Sequence, residues 1–222
     1  PVGNLPVWLG SQSHPRIEKA PFGFQIGPCG VVQLTNTDIV PRMVNAYSAD
    51  EYHFITSPPG SSVWGNSLAE KSITGLIKTH GDVSNKNILE IGGGTLFSAK
   101  TLVENYGAAS VTIVDPALPD GSVDKRIKIR KEYFDAETCF DREFDLIISF
   151  NTLEHVPDPL GFLRSIAAKM NDKTELYLKL PDCETGFLRG DWGLCVHEHL
   201  SYFTQSSLDA CLSSVGLKRV SE

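Results

Sequence analysis

One segment of the chain reads Asn87-Ile88-Leu89-Glu90-Ile91-Gly92-Gly93-Gly94-Thr95-Leu96, and the other elements can be placed by their distance from it. Its apolar run, rich in Ile and Leu, predicts a buried parallel strand. The three consecutive glycines predict a tight turn, and a helical pattern follows them. A strand, a turn and a helix N-terminus in this order bring bare backbone close to a nucleotide-like ligand.

Strands and helices are predicted to alternate from residue 63 to the end of the chain. Strands are predicted at 87–91, 110–114, 126–129, 144–150, 175–180 and 217–220, and helices at 63–80, 96–106, 159–170 and 205–215. Asp158 and Thr204 are the predicted N-caps of the last two helices. The alternation predicts an α/β fold with a doubly wound, mostly parallel, Rossmann-like sheet. Ligands of such sheets bind at the carboxyl ends of the strands.

The chain before residue 63 has a different composition. Residues 1–46 contain six prolines and only short apolar pieces, which predicts a small turn- and β-rich N-terminal module. Residues 47–62 are aromatic and turn-rich, so they are interpreted either as a connecting loop or as a segment that covers a ligand. Residues 63–222 are predicted to form the ligand-binding domain.

Composition narrows the classes of partner. The formal net charge of -7 provides no basic surface, which argues against nucleic acid. No apolar run approaches the roughly 18 residues of a membrane span, and no signal peptide opens the sequence. The five cysteines are scattered, odd in number and without a C-x-x-C pair. They predict a reduced, cytoplasmic protein.

The sequence of the glycine turn helps to decide between two classes of nucleotide-like ligand. A dinucleotide fingerprint needs a third glycine where this chain has Phe97, which weakens that interpretation. The run Leu89-Glu90-Ile91-Gly92-Gly93-Gly94 instead resembles motif I of the class I S-adenosylmethionine-dependent methyltransferases. The resemblance implies that Glu90 organises the turn and that Gly92, Gly93 and Gly94 let the backbone approach the methionine part of the cofactor.

Three further polar residues follow predicted strands. Asp115 ends the second strand, where a carboxylate can accept both hydroxyls of a ribose. In the resembled family, the position of Asp135 faces the adenine amino group. The segment that begins at Asn151 resembles the methyl-donor side of the family's site. Each signal is weak alone, since Asp115 could be a surface residue and Asp135 a helix cap. Together they support a cofactor site, because they occur in the family's order and each follows a predicted strand.

A second set of polar residues lies in the run His197-Glu198-His199-Leu200-Ser201-Tyr202-Phe203. Three interpretations stay open from the residues alone. The first is a metal site, which would still need third and fourth ligands that the sequence does not identify. The second is a pair of structural histidines in a loop, and the third is acid–base catalysis by one histidine with Glu198 orienting it.

The same run resembles the signature of sugar C-methyltransferases, which methylate a carbon beside the ketone of a nucleotide-linked deoxysugar. Segments 29–34 and 47–57 resemble that family's N-terminal and Tyr-rich substrate segments. The resemblance implies that His199 is the base and that Glu198 and His197 support it. It also assigns four side chains to substrate binding, namely Tyr47, Tyr52, His155 and Tyr202.

The chain departs from that family in three places. The family's N-terminal module binds zinc through two C-x-x-C pairs, but here Cys29 is alone and Ile26 stands where its partner would be. One cysteine cannot hold a structural zinc ion, so zinc is not expected and no metal ligand is assigned. Val196 stands directly before the His-Glu-His run, where that family usually has an aromatic residue. The sequence also stops within a predicted strand, which indicates a truncated chain or a short, divergent relative.

The sequence therefore predicts an S-adenosylmethionine-dependent methyltransferase of small molecules. C-methylation of a nucleotide-linked ketodeoxysugar is the sharper hypothesis. The alternatives are O- or N-methylation of another metabolite, a non-catalytic S-adenosylmethionine-binding module and, more remotely, an NAD-dependent oxidoreductase. A small-molecule partner is expected rather than nucleic acid or membrane, and the oligomeric state is left open.

Overall fold

The structure is a computed structural model that describes residues 2–7, 19–48, 58–59 and 62–220. Its strands are β1 (Gly3–Pro6), β2 (Lys19–Phe22), β3 (Phe24–Ile26), β4 (Val32–Leu34), β5 (Asn87–Ile91), β6 (Ser110–Val114), β7 (Gly121–Asp124), β8 (Ile127–Arg130), β9 (Leu146–Phe150), β10 (Glu175–Lys179) and β11 (Ser201–Tyr202). Its α-helices are α1 (Val40–Ser48), α2 (Val63–His80), α3 (Phe97–Glu104), α4 (Pro159–Ala167), α5 (Cys183–Leu188) and α6 (Gln205–Ser214).

Six strands form the central sheet in the order β10-β9-β5-β6-β8-β7. Five of them are parallel, and β7 joins the edge antiparallel to β8. The middle strands β5 and β6 bury both faces, as their near-continuous apolar sequences predict. Helices cover the two faces of the sheet and enclose two apolar clusters. The predicted doubly wound, mostly parallel sheet is confirmed.

Helices α4 and α6 begin at the capping residues that the sequence predicts. The Asp158 side chain accepts a hydrogen bond from the Gly161 N–H at the start of α4. Thr204 and Ser207 form a reciprocal capping box at the start of α6. These bonds satisfy backbone N–H groups that have no partner inside the helix. Both predicted N-caps are confirmed.

The predicted strand at 217–220 is wrong. Gly216 adopts a left-handed conformation with φ of 80°, and the Leu217 N–H donates to the Leu212 carbonyl. This bond caps α6 and turns the chain back on itself after the helix. The edge strand β10 therefore pairs with β9 alone among the described strands.

Two small antiparallel sheets lie outside the central sheet. Strands β1 and β2 form one of them, and β3, β4 and β11 form the other. Strand β11 comes from the C-terminal half of the chain, directly after the His-Glu-His run, and Tyr202 pairs with Val32. Helix α1 spans the predicted boundary between residues 46 and 47. The division into a module, a segment and a domain stays a prediction.

None of the helices in the described part of the chain is long and apolar enough to span a bilayer.

Candidate active site

The glycine turn needs glycine for two separate reasons. Gly92 has φ of 77°, and a Cβ atom there would lie 2.1 Å from Thr152 Oγ1. A Cβ atom at Gly93 would lie 2.7 Å from Ile113 Cγ2. Both distances are far inside van der Waals contact, so the backbone approaches its neighbours in a way that no larger residue permits. Gly94 is also left-handed, with φ of 57°.

Two buried carboxyl groups flank this turn. Asp115 accepts hydrogen bonds of 2.7 Å from the backbone N–H groups of Gly94 and Ala117. Burial raises the pKa of Glu90 to about 8, a hydrogen bond from Ser98 opposes the rise, and the charge of Asp115 adds to it. Asp115 thus ties the end of β6 to the glycine turn, while Glu90 sits beneath the turn as a protonated acid at neutral pH.

The other predicted cofactor residues lie on the same cleft. Asp135 accepts hydrogen bonds from the backbone N–H groups of Glu137 and Thr138, so it also caps a turn. Asn151 has a left-handed φ of 49°, and its N–H donates to the carbonyl of Lys179. All seven predicted cofactor positions line one cavity of about 1350 Å³ at the carboxyl ends of the strands. A cavity of that size can hold a cofactor together with a small acceptor.

The His-Glu-His run contributes two of its three residues to this cavity. Glu198 and His199 line it, together with the predicted substrate residue His155. His197 is only 1% exposed, approaches the carbonyl of Pro21 through its Nε2 and packs edge-on against Phe22. It is not among the described lining residues.

Tyr202 is buried and is not among the described lining residues, but its ring packs edge-on against that of His199 at 6.2 Å. Its hydroxyl donates to the carbonyl of Val196, and burial raises the pKa of the phenol far above its ordinary value. The Tyr47 side chain and the whole of Tyr52 lie outside the described residues. Contacts between substrate and Tyr47, Tyr52 or Tyr202 therefore stay predictions.

The two histidines of the cavity have the same tautomer. Nδ1 of His199 lies 2.9 Å from the carbonyl of Leu194, and Nδ1 of His155 lies 2.9 Å from the carbonyl of Glu198. A carbonyl only accepts hydrogen bonds, so each Nδ1 carries the hydrogen and each Nε2 carries the lone pair. Burial lowers the pKa of both imidazoles to about 4. Their ring centroids are 5.0 Å apart.

Glu154 is a lining residue that the sequence did not identify. It is 1% exposed, and neither carboxyl oxygen accepts a hydrogen bond from another described residue. Its Oε1 lies 3.8 Å from Nε2 of His155. Burial raises the pKa of Glu154 to about 8; a hydrogen bond from its own backbone N–H opposes the rise, the charge of Glu198 adds to it, and Lys179 opposes it. The sequence signal that could have identified Glu154 is its position between Leu153 and His155, shortly after the predicted strand at 144–150.

Lys179 is the second missed residue. It ends β10 on the cavity wall, and its Nζ donates to the Ser72 hydroxyl at 2.7 Å. Partial burial lowers the pKa of Lys179, and Glu154 opposes that change. A charged residue at the carboxyl end of a strand, directly after Leu176, Tyr177 and Leu178, was the signal that could have found it.

Cys29 does not belong to a metal centre in the described part of the chain. Its thiol contacts that of Cys211 beside the apolar core, and no three-ligand group that includes it is found there. The donor set of the N-terminal segments does not fit a tetrahedral structural zinc ion. No catalytic step is assigned to zinc at this place.

Comparison with known proteins identifies the family. A model of the methyltransferase domain family matches residues 67–222. No curated protein sequence matches the chain. Because the family model covers well over half of the sequence, the chain belongs to the methyltransferase domain family.

Solved structures share the fold at low sequence identity. One is a complex between the Haloferax volcanii Trm112 methyltransferase activator and a methyltransferase, with 13% identity, 69% of this chain and 74% of that chain covered, and a TM-score of 0.53. Another is the YcgJ protein of Bacillus subtilis, with 18% identity, 66% and 68% covered, and a TM-score of 0.52. A third is assigned as a sarcosine dimethylglycine methyltransferase from Galdieria sulphuraria, with 17% identity, 69% and 62% covered, and a TM-score of 0.51.

The fold, the cleft and the family agree on the class of protein. The chain is an enzyme, an S-adenosylmethionine-dependent methyltransferase with the Rossmann-like fold of class I. The acceptor of the methyl group is a separate question, and the residues around His199 bear on it.

Proposed function

We propose that this enzyme methylates a carbon beside the ketone of a nucleotide-linked deoxysugar. The observation that carries the proposal is the fixed tautomer of His199. Its Nδ1–H donates to the carbonyl of Leu194, so its Nε2 lone pair is available as a proton acceptor on a cavity that also holds the glycine turn. A carbon next to a ketone gives up a proton only to a positioned base.

The cofactor half of the cavity has a donor and acceptor set that suits S-adenosylmethionine. The carboxylate of Asp115 keeps acceptor capacity for ribose hydroxyls beyond its two backbone bonds. Asp135 supplies an acceptor for the adenine amino group. Gly92, Gly93 and Gly94 supply bare backbone for the methionine part. When bound, the cofactor supplies an electrophilic methyl group on a positively charged sulfur.

The acceptor half would use His199 as the base. Its Nε2 takes the proton from the substrate carbon, and the electron pair of the broken C–H bond moves into the enolate. The Leu194 carbonyl stays bonded to Nδ1–H and stabilises the resulting imidazolium. The nucleophilic carbon then forms the new C–C bond, and the electrons of the former C–S bond remain on sulfur. This second step depends mainly on alignment of the reacting atoms.

His155 and Glu198 would position the acceptor beside the base. The Glu198 carbonyl orients the His155 ring, and that ring packs edge-on against His199 at 5.0 Å. Glu198 thus connects the two histidines through its backbone. His197 and Tyr202 have no proposed role in the reaction, because neither is among the described residues that line the cavity.

Location and partners complete the proposal. The five cysteines are free thiols in the structure, in keeping with a reducing compartment such as the cytoplasm. The partner is a nucleotide sugar, with no contribution from nucleic acid.

A labelling experiment tests the reaction. The protein would be incubated with methyl-labelled S-adenosylmethionine and a panel of nucleotide-linked 4-ketosugars, followed by separation of the products. We expect label on a sugar carbon, with turnover reduced about 100-fold or more in His199→Gln, as is usual when a general base is lost. His80→Gln is the matched control, because His80 pairs with Glu175 outside the cavity. Label found on a hydroxyl or an amine would refute carbon methylation.

A further inference from the structure

Three side chains on the cavity wall have the composition of a metal site. Glu154, His155 and His199 each place one ligand atom within 4.8 Å of those of the other two. Two imidazoles with one carboxylate are a common ligand set for zinc and similar cations. No other group of three such ligands is found among the residues that the structure describes.

The histidines are oriented as metal ligands usually are. Each donates its Nδ1–H to a backbone carbonyl at 2.9 Å, from His155 to Glu198 and from His199 to Leu194. A bond of this kind on the far nitrogen fixes the tautomer and directs the Nε2 lone pair toward a metal. The carbonyl partners lie within the same loop segment as His199, so both rings are held by one stretch of backbone.

The carboxyl group of Glu154 provides the independent observation. It is almost completely buried beside the two rings, and neither oxygen accepts a hydrogen bond from another described residue. A buried polar group without a partner is costly and is uncommon in folded proteins. A cation between Glu154 and the two rings would displace the proton of this group and coordinate the resulting carboxylate.

We propose that Glu154, His155 and His199 bind a divalent cation of the zinc type, with the remaining coordination positions open to the cavity. Ligand atoms of a tetrahedral zinc site lie roughly 3.3 Å apart, since each bond is about 2.0–2.1 Å long. The present separations of up to 4.8 Å would close by small rotations of the side chains. Lys179, which lies near Glu154, limits the affinity through charge repulsion.

The bound cation would inhibit the enzyme. It would occupy the Nε2 lone pair that His199 uses as a base, and it would lie where the acceptor binds. The inhibition rests on the proposed function, whereas the binding of the cation does not. This separation lets one set of measurements test the two ideas independently.

Metal binding is tested with the full chain and zinc chloride by titration calorimetry, and with cobalt(II) by visible absorption. We expect one ion per chain and an absorption spectrum without thiolate-to-metal charge transfer, since none of the three ligands is a cysteine. Glu154→Gln and His155→Gln should each weaken binding more than tenfold, while His80→Gln should not. S-adenosylhomocysteine binding confirms that each variant is folded. Equal zinc affinity in all four proteins, or a thiolate spectrum, overturns the site.

The activity arm uses the same variants and ion. Zinc should lower methyl transfer by competing with the acceptor and not with S-adenosylmethionine, and a chelator should restore the rate. Zinc that binds at these residues without changing turnover would support the metal site and overturn the assignment of His199 as the base. Zinc that fails to bind overturns the metal site and leaves the proposed reaction intact.

Discussion

Substitution of Gly92 by alanine should destabilise the glycine turn through two separable effects. The first is conformational, because Gly92 has φ of 77° and an alanine in the left-handed region costs about 1 kcal/mol. The second is steric, because the new Cβ would lie 2.1 Å from Oγ1 and 2.7 Å from Cγ2 of Thr152. Overpacking of this kind costs about 1–3 kcal/mol. The free energy of unfolding should therefore fall by roughly 2–4 kcal/mol.

Gly107→Ala is the matched control for the conformational effect. Gly107 has φ of 70°, but its Cβ would meet Ser84 Cβ at 3.6 Å, an ordinary contact. This variant should lose only about 1 kcal/mol. The double variant Gly92→Ala/Thr152→Ala removes part of the clash, so the two substitutions should couple by about 1–2 kcal/mol in a double-mutant cycle.

Urea unfolding and calorimetry with S-adenosylhomocysteine measure these effects. Gly92→Ala should weaken cofactor binding more than tenfold, because relief of the clash moves the turn away from Thr152. Gly107→Ala should bind the cofactor like the unmodified protein. Equal stability and equal affinity in Gly92→Ala and Gly107→Ala would show that the close approach between Gly92 and Thr152 is not what requires glycine.

Three further substitutions test other parts of the structure. The folded protein keeps a proton on Glu90 up to about pH 8, whereas the unfolded chain loses it near pH 4.5, so this group makes the free energy of unfolding fall as pH rises through that window. Glu90→Gln should remove a slope of about 1.4 kcal/mol per pH unit there. If urea unfolding of Glu90→Gln shows an unchanged pH dependence, Glu90 is not a buried neutral acid. Asp115→Asn should weaken S-adenosylhomocysteine binding roughly 10- to 100-fold in calorimetry, the value of one or two charge-assisted hydrogen bonds, and full affinity would exclude its contact with the ribose. Thr204→Ala should cost about 1 kcal/mol through loss of the capping box with Ser207, and an unchanged urea midpoint would show that the cap is not needed.

Local signals predict the central sheet well. Strands β5 and β6 match their predicted bounds because each is a short apolar run followed by turn residues. The helices α4 and α6 begin where Asp158 and Thr204 supply caps. Strand β7 escapes prediction because its four residues are all exposed and carry no apolar pattern. This strand is defined by its antiparallel pairing with β8 at the edge of the sheet.

Non-local pairing limits the prediction of the smaller sheets and of the candidate site. Strand β11 is two residues long, and it is defined by pairing with β4, which lies more than 160 residues earlier. The spacing of His197 and His199 suggests a shared face, but the run is a turn rather than a strand, and the N–H of His199 donates to Val196. The two rings therefore lie in different surroundings. The burial of Glu154 likewise depends on packing that no local pattern records.

The residues predicted to bind the cofactor lie together because the topology of the sheet places them there. The ends of parallel strands meet at one edge of the sheet, so Glu90, Asp115 and Asn151 share a cavity wherever the strands are correctly assigned. The residues proposed to act on the acceptor, His155, Glu198 and His199, come instead from segments between the regular elements. Their arrangement depends on contacts between distant parts of the chain.

Hydrogen exchange at the sugar carbon is the most direct measurement of the role of His199. The protein would be mixed with a nucleotide-linked 4-ketosugar and S-adenosylhomocysteine in heavy water, and the signal of the hydrogen beside the ketone followed by NMR. We predict that this hydrogen exchanges for deuterium without methyl transfer, and that His199→Gln slows the exchange about 100-fold or more. Exchange at an equal rate in His199→Gln and the unmodified protein would contradict the assignment of His199 as the base.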